Sequence, residues 1–346
     1  MSEFADRLIA WQRRHGRHDL PWQGTRDPYR VWLSEIMLQQ TQVDSVKPYY
    51  LRFLARFPDV ASLAAAPVED VLALWSGLGY YARARNLHRA AQVVMDDFGG
   101  RFPQDAAQLQ RLPGVGRSTA AAIASFCFGE RVAILDGNVK RVLCRHFGIE
   151  GFPGERKVEE ALWALATRLL PVAGVEVYPQ AQMDLGATVC TRGKPACVRC
   201  PVQDGCVAWR DGRQAELPAP RPRKAVPQRQ CDMLVLCSPR AVLLEQRPAR
   251  GVWGGLYSLP ELVDGETPQA GALRLLGTPL QDWRALPPVQ HAFTHFRLEI
   301  RPWLRRLEAS APIAAEGRLD WIARDALEST GLPAPVRKLL QAALAD

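Results

Sequence analysis

The chain has no apolar run long enough to cross a bilayer. It also lacks a secretory leader, since its first residues, MSEFADRLIAWQRRHGRHDLPW, are amphipathic and mix acids with arginines. These absences exclude a membrane-spanning helix and argue against export, so the expected location is the cytoplasm. In that compartment thiols stay reduced, which disfavours a disulfide scaffold as the use of the eight cysteines. Histidine is scarce, with six residues in 346, and none stands near the densest cysteine group. A second CxxC unit is missing too, so the two paired knuckles of a zinc ribbon are not met.

What is present is the set Cys190-x6-Cys197-x2-Cys200-x5-Cys206, which follows a helical run and closes a short loop. Four thiolates on one compact loop suit a cubane 4Fe–4S cluster, which takes one cysteine per iron. A four-thiolate zinc site is also tetrahedral and commonly uses a CxxC pair, so the spacing alone leaves zinc open. Cys127, Cys144, Cys231 and Cys237 are isolated in apolar stretches and read as buried packing thiols. The formal charge is +8, much of it arginine. That balance fits a polyanionic partner without by itself identifying one.

The chain is long enough for two domains with separate cores. Apolar spacing near 3.6 predicts helices over 29–57, 68–75, 85–98, 104–112, 117–128, 137–147 and 155–170. Gly/Pro breaks such as Phe57-Pro58, Gly77-Leu78-Gly79 and Gly99-Gly100 separate them. The stretch QAELPAPRPRKAVPQRQ, rich in proline and base, reads as a semi-extended linker. Beyond it, MLVLCSPRAVLLEQR predicts two strands about a Ser-Pro turn, FRLEIRPWLRRL predicts further strand, and PVRKLLQAAL returns to helix. The expected division is an all-α domain at 1–213 carrying the cysteine loop 190–206, a linker at 214–230, and a small α+β domain at 231–346.

Three segments of the first domain carry chemistry. Leu112-Pro113-Gly114-Val115-Gly116 lies between two helical runs. Its glycines let backbone approach a partner closely, and the following helix opens with free N–H groups suited to an anion. This is a helix–hairpin–helix signature whose natural anion is a DNA phosphate. Leu135-Asp136-Gly137-Asn138-Val139 leads into the next helix. Asp136 there is an N-cap, a sufficient structural role, and also a carboxylate positioned to stabilise positive charge. Cap hydrogen bonds are expected to keep it ionised at neutral pH. In VWLSEIMLQQTQ, Glu35 has Val31 and Trp32 one turn before it and Leu38 and Gln39 one turn after. Exposed helix glutamates are commoner than catalytic ones, but apolar neighbours disfavour the anion and raise the pKa toward that of a general acid.

Taken together, the chain resembles the MutY-type adenine DNA glycosylases of the endonuclease III-like helix–hairpin–helix superfamily. The resemblance runs through LPW at 20–22, WLSEIMLQQTQV at 32–43, GLGYYARARNLH at 77–88, LPGVGRSTA at 112–120, LDGNVKRV at 135–142 and DLGATVC at 184–190. It continues through the cysteine loop to WGGLYSLPE at 253–261 and HAFTHF at 291–296. It implies a 4Fe–4S cluster in the cysteine loop and double-stranded DNA bearing A:8-oxoguanine or A:G mispairs as partner. It further implies a monomer that associates with DNA.

The resemblance also implies roles. Glu35 protonates adenine at N7, Asp136 stabilises the oxocarbenium-like sugar, and Asn138 orients these groups or a water. Trp22, Ser118 and Gln180 wall the base pocket, with Gln180 reading an adenine edge, and Gln40 and Tyr80 wedge the stack. Leu112, Gly114, Val115 and Gly116 of the hairpin, with Arg192 and Lys194 of the cysteine loop, meet DNA. Superfamily members that also cleave the strand carry a lysine where this chain has Ser118, and a hydroxyl cannot form an imine, so hydrolysis without strand cleavage is expected. The second domain resembles a Nudix fold, but the region around TPQAGALRLLG is nearly free of the metal-binding glutamates, which favours a binding role. There Phe293-Thr294-His295 stands where the family uses Phe-Ser-His to inspect 8-oxoguanine. A bifunctional lyase, a non-enzymatic iron–sulfur DNA sensor and a Nudix hydrolase are the alternatives, disfavoured by Ser118, by the surroundings of Glu35 and by the missing glutamates.

Overall fold

The computed structural model describes residues 2–222, 225–249, 251–315 and 317–345. It divides into two compact units, one formed by 1–65 with 86–223 and the other by 66–85 with 224–346.

The first unit is helical, and its helices begin and end where the sequence chemistry directs. They are α1 (Ser2–His15), α2 (Pro28–Leu38), α3 (Val43–Arg56) and α4 (Val60–Ala65). After α5 (Val68–Trp75), which lies in the other unit, come α6 (Ala82–Phe98), α7 (Ala106–Leu109), α8 (Arg117–Phe128), α9 (Gly137–Phe147), α10 (Arg156–Arg168) and α11 (Tyr178–Asp184). Asp27 caps α2 by accepting from the Tyr29 N–H, with Pro28 preset at the first helical position. The run expected to be one helix over 29–57 is broken after Leu38, and Gln40 adopts a left-handed backbone with φ 58°. Of the predicted segment 104–112 only Ala106–Leu109 is helix, because the hairpin turn takes the rest. The core gathers α1, α8, α9, α10 and α11 around Leu8, Val139, Leu143, Leu162 and Tyr178.

α11 runs directly into a five-residue π-helix, Leu185–Val189, which delivers Cys190. Such widened turns in a helix concentrate at functional sites. A 3₁₀ turn at Cys197–Arg199 and α12 (Val207–Arg210) complete the cysteine loop.

The second unit is a mixed sheet with helices. Its strands are β1 (Gln228–Cys237), β2 (Ala241–Gln246), β3 (Tyr257–Ser258), β4 (Arg284–Ala285), β5 (Val289–Ala292), β6 (Arg297–Arg306) and β7 (Leu319–Ala323). The order is β3-β2-β1-β6-β4, with β5 also on β6 and β7 on β2. The two strands about the Ser-Pro turn are β1 and β2, paired antiparallel from Cys237 opposite Val242. FRLEIRPWLRRL is mainly one long strand, β6, and it pairs parallel to β1 from Gln228↔Arg297 to Cys237↔Arg306. α13 (Pro268–Leu276) and α14 (Ala334–Ala345) complete the unit.

Two expected boundaries differ from the structure. The linker is shorter than 214–230: Leu217 is buried, its carbonyl accepts from Arg145 in the first unit, and β1 already begins at Gln228. The segment 66–85 belongs with the second unit. Ser76 Oγ and Tyr81 Oη donate to the Leu332 carbonyl at 2.8 and 3.3 Å, and Arg85 Nη1 donates to the Gly254 carbonyl at 2.7 Å. These pairings lie more than 160 residues apart in the chain, beyond the reach of any local pattern.

Candidate active site and cysteine loop

A cavity of about 500 Å³ opens in the helical unit, lined by Arg17, Trp22, Glu35 and Gln180 among others. Glu35 reaches it from the third turn of α2, together with Val31 and Leu38, while Trp32, Ile36 and Met37 are buried in the core. The residue keeps some contact with the cavity, yet protein surrounds the carboxyl closely enough that desolvation dominates. Its pKa is pushed up to about 7, first by that burial and second by the nearby charge of Asp136. Trp22 is buried and also faces the cavity, with its ring edge-on to Tyr50 at 5.4 Å.

Asp136 is the N-cap of α9. One oxygen accepts from the Val139 N–H at 2.7 Å, and the other from Asn138 Nδ2 at 3.1 Å. Those bonds pull its pKa down, but burial outweighs them and the net displacement is upward. The cap hydrogen bonds expected to favour its ionised form are present, and desolvation opposes them. Asn138 is itself fixed, since its Oδ1 accepts from Arg141 Nη2 at 2.8 Å. A Cβ added to Gly186 of the π-helix would fall 2.5 Å from the Asn138 Cβ, so glycine is what lets this helix close on the cap. Ser118 does not line the cavity, and its hydroxyl accepts from the Leu135 N–H at 3.0 Å, steadying the strand of chain that enters Asp136.

The hairpin turns at Gly114, where φ is 77°. Leu112 and Val115 are buried, and their N–H groups already donate to the Leu109 and Leu112 carbonyls within the turn. Gly116 caps α8 with no side-chain hydrogen bond, and a Cβ there would meet nothing within 4 Å. The first turn of α8 therefore offers N–H groups outward. Gln40 is exposed at φ 58°, and Tyr80, in the second unit, is 49% exposed at φ 52°. Backbones held in this region cost free energy and collect at sites of function.

Cys190, Cys197, Cys200 and Cys206 line one small cavity of about 30 Å³ walled by apolar surface. Among the described residues no group of three or more His, Cys, Asp or Glu converges as a single ion would require. Four cysteines about one apolar space supply the donor set that a 4Fe–4S cluster takes, one thiolate per iron. Two arginines of α9, both missed by motif reading, brace the loop. Arg141 donates to the carbonyls of Cys190 and Gly186 at 2.8 and 2.6 Å. Buried Arg145 donates to the carbonyls of Thr191, Arg192 and Leu217 and lies 3.5 Å from Cys190 Sγ. Arg192 and Lys194 stand exposed on the same loop. In the second unit Phe293 stacks on Phe296 at 4.4 Å and meets His291 edge-on at 4.6 Å, while Thr294 and His295 form an exposed tip. In α13, where a Nudix helix would carry its glutamates, there is no acid, and the neighbouring Glu266 is paired with Arg274 at 2.8 Å.

The helical unit, with its glycine hairpin and carboxylate-bearing cavity, falls in a known class of DNA repair protein: residues 33–168 match the HhH-GPD superfamily of base excision DNA repair proteins. Residues 232–342 match the NUDIX domain. The chain is 35% identical over 339 residues to an adenine DNA glycosylase of Buchnera aphidicola subsp. Acyrthosiphon pisum, covering 98% of this chain and 97% of that one. It is 33% identical to the human adenine DNA glycosylase, over 99% of this chain and 74% of that one. Among solved structures, a thermostable thymine-DNA glycosylase superposes with TM-score 0.55 at 31% identity, covering 60% of this chain and 95% of that one. Endonuclease III in a non-covalent DNA complex shares the fold, with TM-score 0.52, 23% identity and coverage of 60% and 94%. The chain belongs to the MutY-type adenine DNA glycosylase family and is an enzyme of that class.

The raised carboxyl has a consequence for stability. Below pH 4.5 Glu35 is protonated in folded and unfolded chains alike and costs nothing. Between 4.5 and about 7 the unfolded chain releases this proton while the folded one retains it, so stability falls as pH rises. Above about 7 the full cost is present, on the order of 3 kcal/mol at 1.36 kcal/mol per pH unit. Glu35→Gln should therefore raise the Tm at pH 8 and leave it nearly unchanged at pH 4.5. Equal melting of the two proteins at pH 8 would show that the carboxyl is solvated.

Proposed function

We propose that this enzyme hydrolyses the N-glycosidic bond of adenine mispaired with 8-oxoguanine or guanine in double-stranded DNA. The observation that carries the reading is the Glu35 carboxyl, on the wall of a cavity with room for an extruded base, its pKa raised to about 7 by burial and by Asp136. A protonated Glu35 delivers its proton to adenine N7, so the base departs neutral. The sugar gains oxocarbenium character, and Asp136, with both oxygens already tied by Val139 and Asn138, opposes that charge without reorganising. Asn138 and Arg141 hold Asp136 in place. Ser118 offers no amine for a Schiff base, which supports hydrolysis without strand cleavage.

On the DNA side, the hairpin N–H groups at Gly114 and Gly116, with Arg192 and Lys194, take phosphates. Gln40 and Tyr80, each on a left-handed backbone, fill the gap the extruded adenine leaves. The tip Phe293-Thr294-His295 reads 8-oxoguanine, whose N7–H and O8 a hydroxyl can hydrogen-bond, with the aromatic stack under Phe293 fixing the loop. The enzyme works as a DNA-associated monomer. Cys190, Cys197, Cys200 and Cys206 hold a 4Fe–4S cluster, which when bound cross-links the basic loop into one shape.

Glu35→Gln should bind an A:8-oxoguanine duplex normally but lose at least about 100-fold in single-turnover excision, scored as alkali-labile abasic sites. The wild-type rate should fall as pH rises past about 7, because the acid must be protonated to act. Excision by Glu35→Gln near the wild-type rate would remove Glu35 from its role. Anaerobically prepared protein should contain about four irons per chain, and stoichiometric zinc in their place would exclude the cluster. Thr294→Ala should excise adenine opposite guanine at the wild-type rate while losing several-fold opposite 8-oxoguanine. An unchanged ratio would place recognition elsewhere.

A further inference from the structure

Asp184 is fully buried at the C-terminal end of α11, four residues after Gln180. Its carboxylate is met by three hydrogen-bond donors. Arg17 gives its backbone N–H to Oδ2 at 2.9 Å and its Nε–H to Oδ1 at 2.7 Å. Gln180 Nε2 gives a third bond to Oδ1 at 2.8 Å. Arg17 and Gln180 also line the base cavity. A carboxylate can only accept, so the amide must turn its nitrogen toward Asp184. Turning it over would set the amide oxygen against a carboxylate oxygen at hydrogen-bond distance.

We propose that the Arg17–Asp184 pair is a positioning device that fixes the Gln180 amide with its carbonyl oxygen toward the bound base, so that the site selects a purine bearing an exocyclic amine at C6. This rests on the adenine-excising reading above. The carbonyl accepts from the N6 amine of adenine, whereas hypoxanthine presents an acceptor there and unsubstituted purine presents nothing. When N7 takes the proton, the base becomes cationic and its amine a stronger donor, so the bond strengthens as the base leaves. The charge of Asp184 behind the amide polarises the carbonyl in the same direction. Leaving that oxygen without a donor is the penalty by which the wrong base is refused.

Single-turnover excision from duplexes carrying adenine, purine or hypoxanthine opposite 8-oxoguanine tests this, with rates taken per active site. Asn at 184 cannot accept from both Arg17 donors, and one of its orientations presents N–H to Gln180 and turns the amide over. Asp184→Asn should therefore lower the adenine-to-purine rate ratio about tenfold, one hydrogen bond's worth. It should also raise hypoxanthine excision relative to adenine, which a general loosening of the site would not do. Gln180→Leu should lower the adenine-to-purine ratio similarly, and the double variant should lower it no further. Should Asp184→Asn not fold, Arg17→Lys, which keeps the charge and the backbone bond but loses the bond to Oδ1, should still lower the ratio at least threefold. If Gln180→Leu shifts the ratio but the folded Asp184 and Arg17 variants slow all three bases equally, the positioning role is overturned while base reading by Gln180 stands. If Gln180→Leu leaves the ratio unchanged, Gln180 does not read the base and the inference falls with it.

Discussion

The cap that Asp136 forms on α9 is the interaction on which the helical unit's chemistry depends. One carboxylate oxygen accepts from the Val139 N–H and starts the helix; the other accepts from Asn138 and cannot swing toward solvent. A capping bond of this kind contributes about 1 kcal/mol to stability, a small part of the unit's total. Its larger effect is geometric. It places a desolvated carboxylate close enough to Glu35 to add to that residue's raised pKa.

The same helix braces the cysteine loop from its other turns. Arg141 and Arg145, four residues apart, project toward the loop and together satisfy carbonyls of Gly186, Cys190, Thr191, Arg192 and Leu217. A loop with this many inward carbonyls and little regular structure would otherwise leave polar groups unpaired, each at a cost of about 1–3 kcal/mol. Burial raises the Cys200 thiol to about 12 and the Cys206 thiol upward as well. Desolvation there disfavours the thiolate form.

In the second unit an aromatic stack plays the corresponding part. Phe293 is held between Phe296 and His291, with Trp253 5.8 Å away, so a short connection between β5 and β6 is rigid at its base and polar at its tip. The unit keeps the Nudix sheet, while the helix that would carry acids, α13, presents Arg274 instead, paired back to Glu266. Among the described residues no three carboxylates converge there as a divalent-metal site would require.

The sequence by itself determined the features whose causes are local. The hairpin at 112–116 needs glycine at a positive φ, Asp136 caps because its side chain reaches the Val139 N–H, and the strands about the Ser-Pro turn follow from alternation. The cysteine spacing and the apolar neighbours of Glu35 are likewise local, and both are legible in the sequence itself. The tertiary structure alone decided what depends on partners far away in the chain. Arg17 meets Asp184 across 167 residues, and Arg145 meets Thr191 across 46. An arginine in a sequence carries no mark of which carbonyl or carboxylate it will serve. The break at Gln40 was hidden because apolar periodicity continues through it, and the allegiance of 66–85 because Ser76 and Tyr81 find the Leu332 carbonyl some 250 residues on. Periodicity reports which face of an element is buried; only the packed chain decides what it is buried against.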